Sequence, residues 1–378
     1  MDRGLRSSDA GTNLPSVILL YLGRRGAMAR FAAQASSALA RSSEVQGRTI
    51  VSRQSESFKP SPMRSEEIMG VDVFSGRLGP LLSIRNLGRL KRIIQSEIEI
   101  LDAVAVIDLM PHVWSPWLVN TIHRSGARYT AIAHDATPHP GDLTGYASRW
   151  ADRALLKADR VFTLSDATGR QLREMGRIDP DRITTLFHPD LTYSGSALRK
   201  WHPGIPLRLL FFGRILPYKG LPLFVEAAER LRRDGMPIEI GVFGDGDLRD
   251  CRERLDQLNA EIVNRWLTEG EVAGALAAYD VVVVSHVEAS QSGVVAAAFG
   301  AGMPVVATPV GALPEQVDQG ITGLIAEAAD GSSLANAIKR FWNDPSLYRK
   351  MSDEIARASD RRSMDAFLTL AVHSALAC

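Results

Sequence analysis

The feature of this sequence that most constrains its fold is a repeated alternation of short apolar segments with helical patterns. The apolar segments of the first half are "SVILLYL", "AVAVIDLM", "RYTAIAHD" and "DRVFTLS". Those of the second half are "LRLLFFGRI", "IEIGVFGDG", "VVVVSH" and "PVVATPV". Strands that are apolar throughout and alternate with helices are typical of parallel sheets covered on both faces. We therefore predict an α/β fold with two doubly wound, Rossmann-like parallel-sheet domains that face a cleft.

The length of the chain and one change in composition predict where these domains meet. The chain has 378 residues, more than a single hydrophobic core usually organises. A stretch rich in Pro, Gly and Ser predicts a linker near residues 190–206. We assign residues 1–15 to a disordered tail, because they are polar and lack the apolar segment of a signal peptide. Residues 16–198 and 199–359 then form the two domains.

Composition excludes several classes of protein. The formal net charge is only +1, so bulk charge does not predict a nucleic-acid partner. The two cysteines, Cys251 and Cys378, provide neither a disulfide framework nor a cysteine metal cluster. They favour a reducing compartment, which predicts a cytoplasmic protein. No apolar run reaches the length of a membrane span.

Residues 77–95 combine basic side chains with an apolar helical face. Arg77, Arg85, Arg89, Lys91 and Arg92 occur there without an acid. A basic amphipathic helix can lie on an anionic membrane, at the inner face of the cell membrane in this case. It can also be an ordinary surface helix that packs its apolar side on its own domain, and we favour this second interpretation.

Ligands of parallel sheets bind beyond the carboxyl ends of the strands, so the residues after each strand are the candidates for a site. In "FFGRILPYKG", Arg214 and Lys219 follow a strand directly. A guanidinium and an ammonium there suit a diphosphate, although solvated loop cations are common. In "GVFGDGDL", Gly244 and Asp245, together with Gly213, form a candidate region for a nucleotide base.

The stretch "HVEASQSGVV" leads from a buried strand into a helix. That helix begins at Gly293, and its free N–H groups favour a phosphate. Ser292 can cap the helix or donate to a ligand. Glu288 precedes it, and a carboxylate near a phosphate site is better suited to sugar hydroxyls than to the phosphate.

The first half offers a second set of polar residues. His134 and Asp135 follow a strand in "AIAHDATPHPGD", where we expect hydrogen bonds to a polar substrate. A metal site is disfavoured because the spacing matches no common metal motif. Gly23 and Gly26 lie in the loop "GRRG" after the first strand and can bring backbone donors to a ligand. That loop is not a dinucleotide fingerprint, which argues against a dehydrogenase.

The order and spacing of these segments resemble the family 4 glycosyltransferases of the two-domain GT-B fold, from about Ser16 to the end. "FFGRILPYKG" resembles the Gly-Arg…Lys-Gly motif for the donor phosphates. "GAGMPVVATPVGALPEQVDQGITGLI" resembles the final motifs of that family, and "AHDATPHPGD" resembles the active-site loop of one branch. The resemblance implies that a last helix, in residues 360–378, packs back on the first domain.

The resemblance also implies roles for the candidate residues. The second domain would bind a nucleoside-diphosphate sugar, and the first a saccharide or lipid-linked acceptor. Arg214 and Lys219 would neutralise the departing diphosphate, assisted by the helix start at Gly293 and Val294. The family retains anomeric configuration and usually needs no metal, so no cofactor other than the donor is expected.

Two further roles follow from the resemblance, and one of them departs from the family pattern. His134 would lie near the transferred sugar, and Glu288 would hold donor-sugar hydroxyls. The family typically has two glutamates spaced as Glu-x7-Glu, but here the two positions fall on Ala289 and Ala297. Glu288 is one residue early. A degenerate motif leaves two alternatives to transfer: a catalytically silent binder of nucleotide sugars, and a GT-B sugar-nucleotide epimerase.

Overall fold

The structure is a computed structural model that describes residues 14–56, 58, 67–73, 79–137, 149–193 and 201–377. For residues 79–84 only the backbone is described. Most of the predicted tail (1–13) and the middle of the predicted linker (194–200) lie outside the described residues.

The first half forms a seven-stranded sheet with the order β3-β2-β1-β4-β5-β6-β7. Its strands are β1 (Ser16–Tyr21), β2 (Gln46–Ser52), β3 (Ile68–Val71), β4 (Ala103–Met110), β5 (Arg128–Ala133), β6 (Arg160–Thr163) and β7 (Ile183–Thr185). Each pair of neighbouring strands is parallel. This arrangement confirms the predicted parallel sheet.

The second half forms a six-stranded sheet with the order β10-β9-β8-β11-β12-β13. Its strands are β8 (Leu207–Phe212), β9 (Ile238–Phe243), β10 (Glu261–Val263), β11 (Val281–Val284), β12 (Val305–Ala307) and β13 (Gly323–Ile325). These neighbours also pair in parallel. Two parallel α/β domains are therefore present, as predicted.

Helices connect the strands and cover the faces of both sheets. Those of the first half are α1 (Ala27–Arg41), α2 (Gly79–Leu101), α3 (Ser115–Arg124), α4 (Arg153–Leu156) and α5 (Asp166–Glu174). Those of the second half are α6 (Leu221–Arg233), α7 (Cys251–Gln257), α8 (Glu269–Ala278), α9 (Gly293–Gly300), α10 (Leu313–Gln316), α11 (Gly331–Asn343) and α12 (Pro345–Arg357). The last helix is α13 (Met364–Leu376).

Strand β1 shows why these segments read as continuous apolar runs. All six of its residues are buried. Ile18 and Leu20 belong to one apolar cluster of the first domain, whereas Val17 and Leu19 belong to another. Successive side chains of a strand point to opposite faces, so a sheet with helices on both faces requires apolar residues at every position.

Helix α13 packs on the first domain although it follows the second domain in the chain. The rings of Phe31 in α1 and Phe367 in α13 meet edge to face, with centroids 5.3 Å apart. Arg128 at the start of β5 donates to the backbone carbonyl oxygens of Ala375 and Leu376, at 3.3 and 3.0 Å. These bonds satisfy carbonyls at the end of the helix, which have no partner within it.

Helix α2 contains most of the basic segment 77–95, of which residues 77 and 78 lie outside the described residues. Leu90 and Ile94 are 1% and 0% exposed and belong to the core of the first domain. Arg85, Arg89 and Arg92 are exposed. The apolar side of this helix is therefore used within its own domain, in agreement with the interpretation that we favoured.

The sheet orders place a cleft between the domains. In the first sheet the order reverses between β1 and β4, and in the second between β8 and β11. The connections after these strands leave in opposite directions and open a crevice at the carboxyl ends. The candidate residues that follow β1, β5, β8 and β11 are placed near that crevice.

Candidate functional site

A cavity of about 620 Å³ lies between the two domains. The first domain lines it with the loop after β1, the start of α1 and the end of β5. The second domain lines it with the residues that follow β8, β9 and β10, and with the start of α9. Of the predicted site residues, the cavity is lined by Gly26, His134, Asp135, Gly213, Arg214, Lys219, Gly244, Asp245, Gly293 and Val294. The structure thus brings together residues from both halves of the sequence.

Arg214 and Lys219 lie on the loop after β8. The pKa of Lys219 is lowered to about 7, mainly by burial and also by the neighbouring charge of Arg214, while Asp135 opposes the shift. The ammonium nitrogen lies 4.9 Å from the centre of the Tyr218 ring. Burial therefore disfavours the charged form of this lysine. A bound anion would favour the charged form again.

The turn after Lys219 requires glycine. Gly220 has a φ of +66°, and a Cβ at this position would lie 1.8 Å from the carbonyl oxygen of Ser285. The Ser285 hydroxyl donates to the carbonyl oxygen of Lys219 at 3.2 Å. These contacts hold the loop after β8 against the end of β11, which places Lys219 at the cavity.

The N-terminus of α9 faces the cavity from the second domain. Its cap residue, Ser292, has an extended backbone, and its side chain does not cap the helix. The Ser292 hydroxyl is buried and makes no hydrogen bond within the described part of the chain. Gly293 and Val294 follow with N–H groups that have no partner in the first turn. Such a terminus favours an anion by geometry and by the helix dipole.

The N-terminus of α1 meets the same cavity from the first domain. Gly26 caps it with a φ of +87°, and its N–H donates to Glu56 at 3.3 Å. A Cβ on Gly293 would lie 2.8 Å from the Cβ of Ala27, so the two helix starts touch across the cleft. Gly23 does not line the cavity; a Cβ there would meet the Tyr21 ring at 2.6 to 2.9 Å. The structure thus places Gly23 beside Tyr21 rather than at the cavity, and its contact with a ligand stays a prediction.

His134 lies just beyond β5, and both of its ring nitrogens have partners. Nε2 is 2.8 Å from the carbonyl oxygen of Leu109, and Nδ1 is 2.8 Å from Nε2 of Gln291 in the second domain. Burial lowers the pKa of His134, although the Leu109 carbonyl and Asp135 oppose the shift. The imidazole is therefore neutral at physiological pH.

Two carboxylates of the first domain line the cavity near His134. Burial raises the pKa of Asp152 to about 6, an effect that Arg177 opposes and Asp135 reinforces. Asp135 is the more exposed of the two. The sequence did not single out Asp152, because it lies 17 residues beyond Asp135 and only the fold brings the two together.

Gly213, Gly244 and Asp245 form one wall of the cavity. A Cβ on Gly244 would lie 1.8 Å from the carbonyl oxygen of Gly213. The N–H of Gly213 donates to the carbonyl oxygen of Phe243, and the N–H of Ile215 donates to the carbonyl oxygen of Asp245. Glycine lets these two strand ends come together at the cavity.

The glutamate motif has no carboxylate at the cavity. Glu288 is exposed on the loop after β11 and is not among the residues that line the cavity. Ala297 is 1% exposed and packs in the apolar core of the second domain. Glu315 forms an ion pair of 2.7 Å with Arg170 of the first domain. The geometry therefore does not support the expected sugar contact of Glu288.

Sequence reasoning missed the residues that join the domains. Trp266 of the second domain donates to Glu56 of the first at 2.9 Å. Arg30 of the first domain approaches Glu269 of the second at 3.5 Å and lies over the Tyr193 ring. All five residues line the cavity. Nothing in the linear sequence indicates that they pair, because the partners come from different domains.

Two further features, a metal centre and a membrane-spanning helix, are absent from the described ranges. Within the described ranges, no three His, Cys, Asp or Glu side chains are grouped to hold a metal ion. His139 and Asp142, which follow the predicted His134 pair, lie outside these ranges. Over the same described ranges, no helix combines the length and the hydropathy needed to cross a membrane.

Both halves of the chain match known families. Residues 206–344 match the family described as Glycosyl transferases group 1. Residues 25–189 match Glycosyltransferase Family 4. The matches fall on the two domains that carry the two sides of the cavity.

Curated relatives and solved structures give the same result. Alpha-D-kanosaminyltransferase of Streptomyces kanamyceticus is 25% identical over 322 residues, 79% of this chain and 81% of that protein. D-inositol 3-phosphate glycosyltransferase of Saccharomonospora viridis is 29% identical over 290 residues, 68% of this chain and 64% of its own length. The structure of Anabaena Alr3699/HepE in complex with UDP is similar with a TM-score of 0.70, at 14% identity, over 96% of this chain and 100% of that chain.

Proposed function

The chain belongs to the glycosyl transferases of group 1 and family 4 and has their GT-B fold, and from this premise we propose that it transfers a sugar from a nucleoside-diphosphate sugar to a saccharide or lipid-linked acceptor. One observation carries the proposal: two helix N-termini, Arg214 and Lys219 converge on one cavity between the domains. Such a set of positive ends is suited to a diphosphate.

The proposed chemistry requires stabilisation of the leaving group. Glycosyl transfer passes through an oxocarbenium-like state, while negative charge develops on the departing diphosphate. Arg214, Lys219 and the N–H groups of Gly293 and Val294 would receive that charge. We propose that these groups do so without a divalent ion and that the anomeric configuration is retained. The proposed reaction requires no cofactor other than the donor.

The division of the cavity assigns a side to each substrate. The backbone wall of Gly213, Gly244 and Asp245 would receive the nucleotide base. The acceptor would enter from the first domain, past His134 and the carboxylates of Asp135 and Asp152. Glu288 receives no role, because it lies outside the cavity.

UDP is the first nucleotide to test, because the similar HepE structure is a complex with UDP. In the experiment, the protein is incubated with UDP-glucose or GDP-mannose and a set of free saccharides as acceptors. Release of the nucleotide and formation of glycosylated products are followed by mass spectrometry. A glycosylated product supports transfer. An altered sugar on the nucleotide, with no acceptor present, would support the epimerase alternative. Nucleotide binding without any product would support the silent alternative.

A weaker, peripheral contact with an anionic membrane is a second proposal. Arg85, Arg89 and Arg92 are exposed on α2, whereas its apolar side packs inside the domain. Any contact would therefore be electrostatic, at the inner face of the membrane in a cytoplasmic protein, and sensitive to salt. Sedimentation with anionic vesicles, compared with a variant that carries all three arginines as glutamate, tests it. Equal sedimentation of both proteins would remove the proposal.

A further inference from the structure

We propose that Gln291 is a positioning residue for the reaction centre: it reaches across the cleft and holds His134 as the neutral tautomer with its proton on Nε2. The role in catalysis rests on the proposed glycosyl transfer, whereas the hydrogen bond and the tautomer do not. Gln291 occupies a position within the degenerate glutamate motif, between Ala289 and Ala297.

The tautomer follows from what each partner can do. A carbonyl oxygen can only accept, so the 2.8 Å contact with Leu109 places the proton of His134 on Nε2. The amide nitrogen of Gln291 can only donate, so the 2.8 Å contact with Nδ1 uses the lone pair of that nitrogen. Both bonds fit one neutral imidazole.

The opposite orientation of the Gln291 amide is disfavoured electrostatically. It would place the amide oxygen against Nδ1, which would then need a proton, and His134 would become a cation. Burial opposes that charge. The charge of Asp135 favours the cation, but burial is the larger effect. The neutral form, with the amide nitrogen facing Nδ1, is the favoured one.

The loop that carries Gln291 is fixed on both sides. The carbonyl oxygen of Ser290 accepts from the hydroxyls of Ser165 and Thr168, at 2.7 and 3.2 Å. The N–H of Ser292 donates to the side-chain oxygen of Gln316 at 2.7 Å. Ser165 and Thr168 belong to the first domain, so this loop is tied across the cleft immediately before Gln291.

The Gln291 side-chain amide bonds to His134 through its nitrogen, and its oxygen adds no further bond in the part of the chain that the structure describes. Its oxygen is buried and makes no hydrogen bond within the residues described. The bond to His134 is therefore the interaction that the side chain provides. Its two ends lie in different domains, so the bond joins the two sides of the cavity. The imidazole is thus held by a residue two positions before Gly293, where the diphosphate would lie.

Nitrogen-15 spectra of histidine test this directly. The protein contains eight histidines, so the spectrum of His134→Asn is used to assign the His134 signal. Spectra of the labelled native protein are recorded with and without UDP. We expect His134 to show a protonated Nε2 and an unprotonated Nδ1 in the native protein at neutral pH. In Gln291→Leu we expect loss of the single tautomer. In Gln291→Glu we expect an imidazolium, because a carboxylate favours the charged ring.

Gln316→Leu is the matched control, since it removes an amide of α10 that bonds to the backbone of Ser292 and does not touch His134, while the bonds to Ser290 keep the loop in place. Its His134 signal should stay unchanged. An imidazolium in the native protein, an unchanged signal in Gln291→Leu, or an equal change in Gln316→Leu would overturn the proposal. We also expect Gln291→Leu to lower kcat about tenfold, with the nucleotide Kd changed less than about twofold, as for one lost hydrogen bond. Failure of UDP to bind would contradict the proposed function and leave the tautomer readout in the free protein intact.

Discussion

The indole N–H of Trp266 donates to the carboxylate of Glu56 across the cleft, at 2.9 Å. The same carboxylate accepts from the N–H of Gly26 at 3.3 Å, at the start of α1. A single side chain of the first domain thus joins the second domain to a helix start at the cavity. We expect such pairs to favour a closed cleft over an open one.

Removal of this carboxylate should favour the open form. We predict that Glu56→Ala shifts the closed-to-open ratio by about 10- to 100-fold, the effect of losing a hydrogen bond to a charged group. Small-angle X-ray scattering with saturating nucleotide should then give a larger radius of gyration than for the native protein. Glu56→Gln keeps an acceptor for Trp266 and should behave more like the native protein. Identical scattering from Glu56→Ala and the native protein would contradict this role.

The two cations after β8 should dominate donor use. We predict that Arg214→Ala and Lys219→Met each lower kcat/KM for the donor by about 10- to 100-fold, since each removes a charge-assisted contact worth about 1.5–3 kcal/mol. Steady-state kinetics measures the effect. Arg249→Ala is the control, because its guanidinium pairs with Asp247 on the surface of the same domain. Native kinetics in Lys219→Met would show that the donor diphosphate lies elsewhere.

Donor binding should depend on pH through Lys219. Burial lowers the pKa of this ammonium to about 7, and a bound diphosphate would raise it. Affinity should therefore be full below about pH 7 and fall as pH rises, by up to about tenfold per unit, until the pKa of the complex is reached. Calorimetry in buffers of different ionisation enthalpy should detect proton uptake above pH 7. In Lys219→Met that uptake should disappear; its persistence would assign the proton to another group.

A glutamate introduced at Ala297, the second position of the motif, should not be tolerated in the fold. Ala297 is 1% exposed among apolar side chains such as Val295 and Phe299. We predict that Ala297→Glu destabilises the fold by about 2–4 kcal/mol, because an unpaired carboxylate would be buried. Denaturant unfolding measures the change. A variant that is as stable as the native protein and binds nucleotide more tightly would show instead that this position faces the ribose.

The fold was largely predictable, because its central strands are buried on both faces and leave continuous apolar runs. Strand β1 is of this kind, and so is β11, with four buried valines. Edge strands such as β3 and β7 were missed, since only one residue of each is buried and they leave no continuous apolar run. Strand β2 was also missed, because its first three residues, "QGR", are not buried and interrupt the apolar run.

The site was predictable only in part, for a similar reason. Residues that follow a strand, such as Arg214 and His134, were found because parallel strands place their carboxyl ends at one edge. Pairs between domains, such as Gln291 with His134, were not, because no sequence spacing indicates them. Glu288 was predicted from its place after a strand, yet the conformation of its loop leaves it outside the cavity.

The central claim is that the cavity binds a nucleoside diphosphate, and thermal melting with UDP, GDP, ADP, CMP and dTDP tests it most directly. A ligand at a hundredfold excess over its Kd stabilises the folded protein by about 2.7 kcal/mol, a shift of several degrees. We predict a selective shift with one nucleoside diphosphate, and a much smaller one in Lys219→Met. No shift with any nucleotide, or an equal shift in native protein and Lys219→Met, would contradict it.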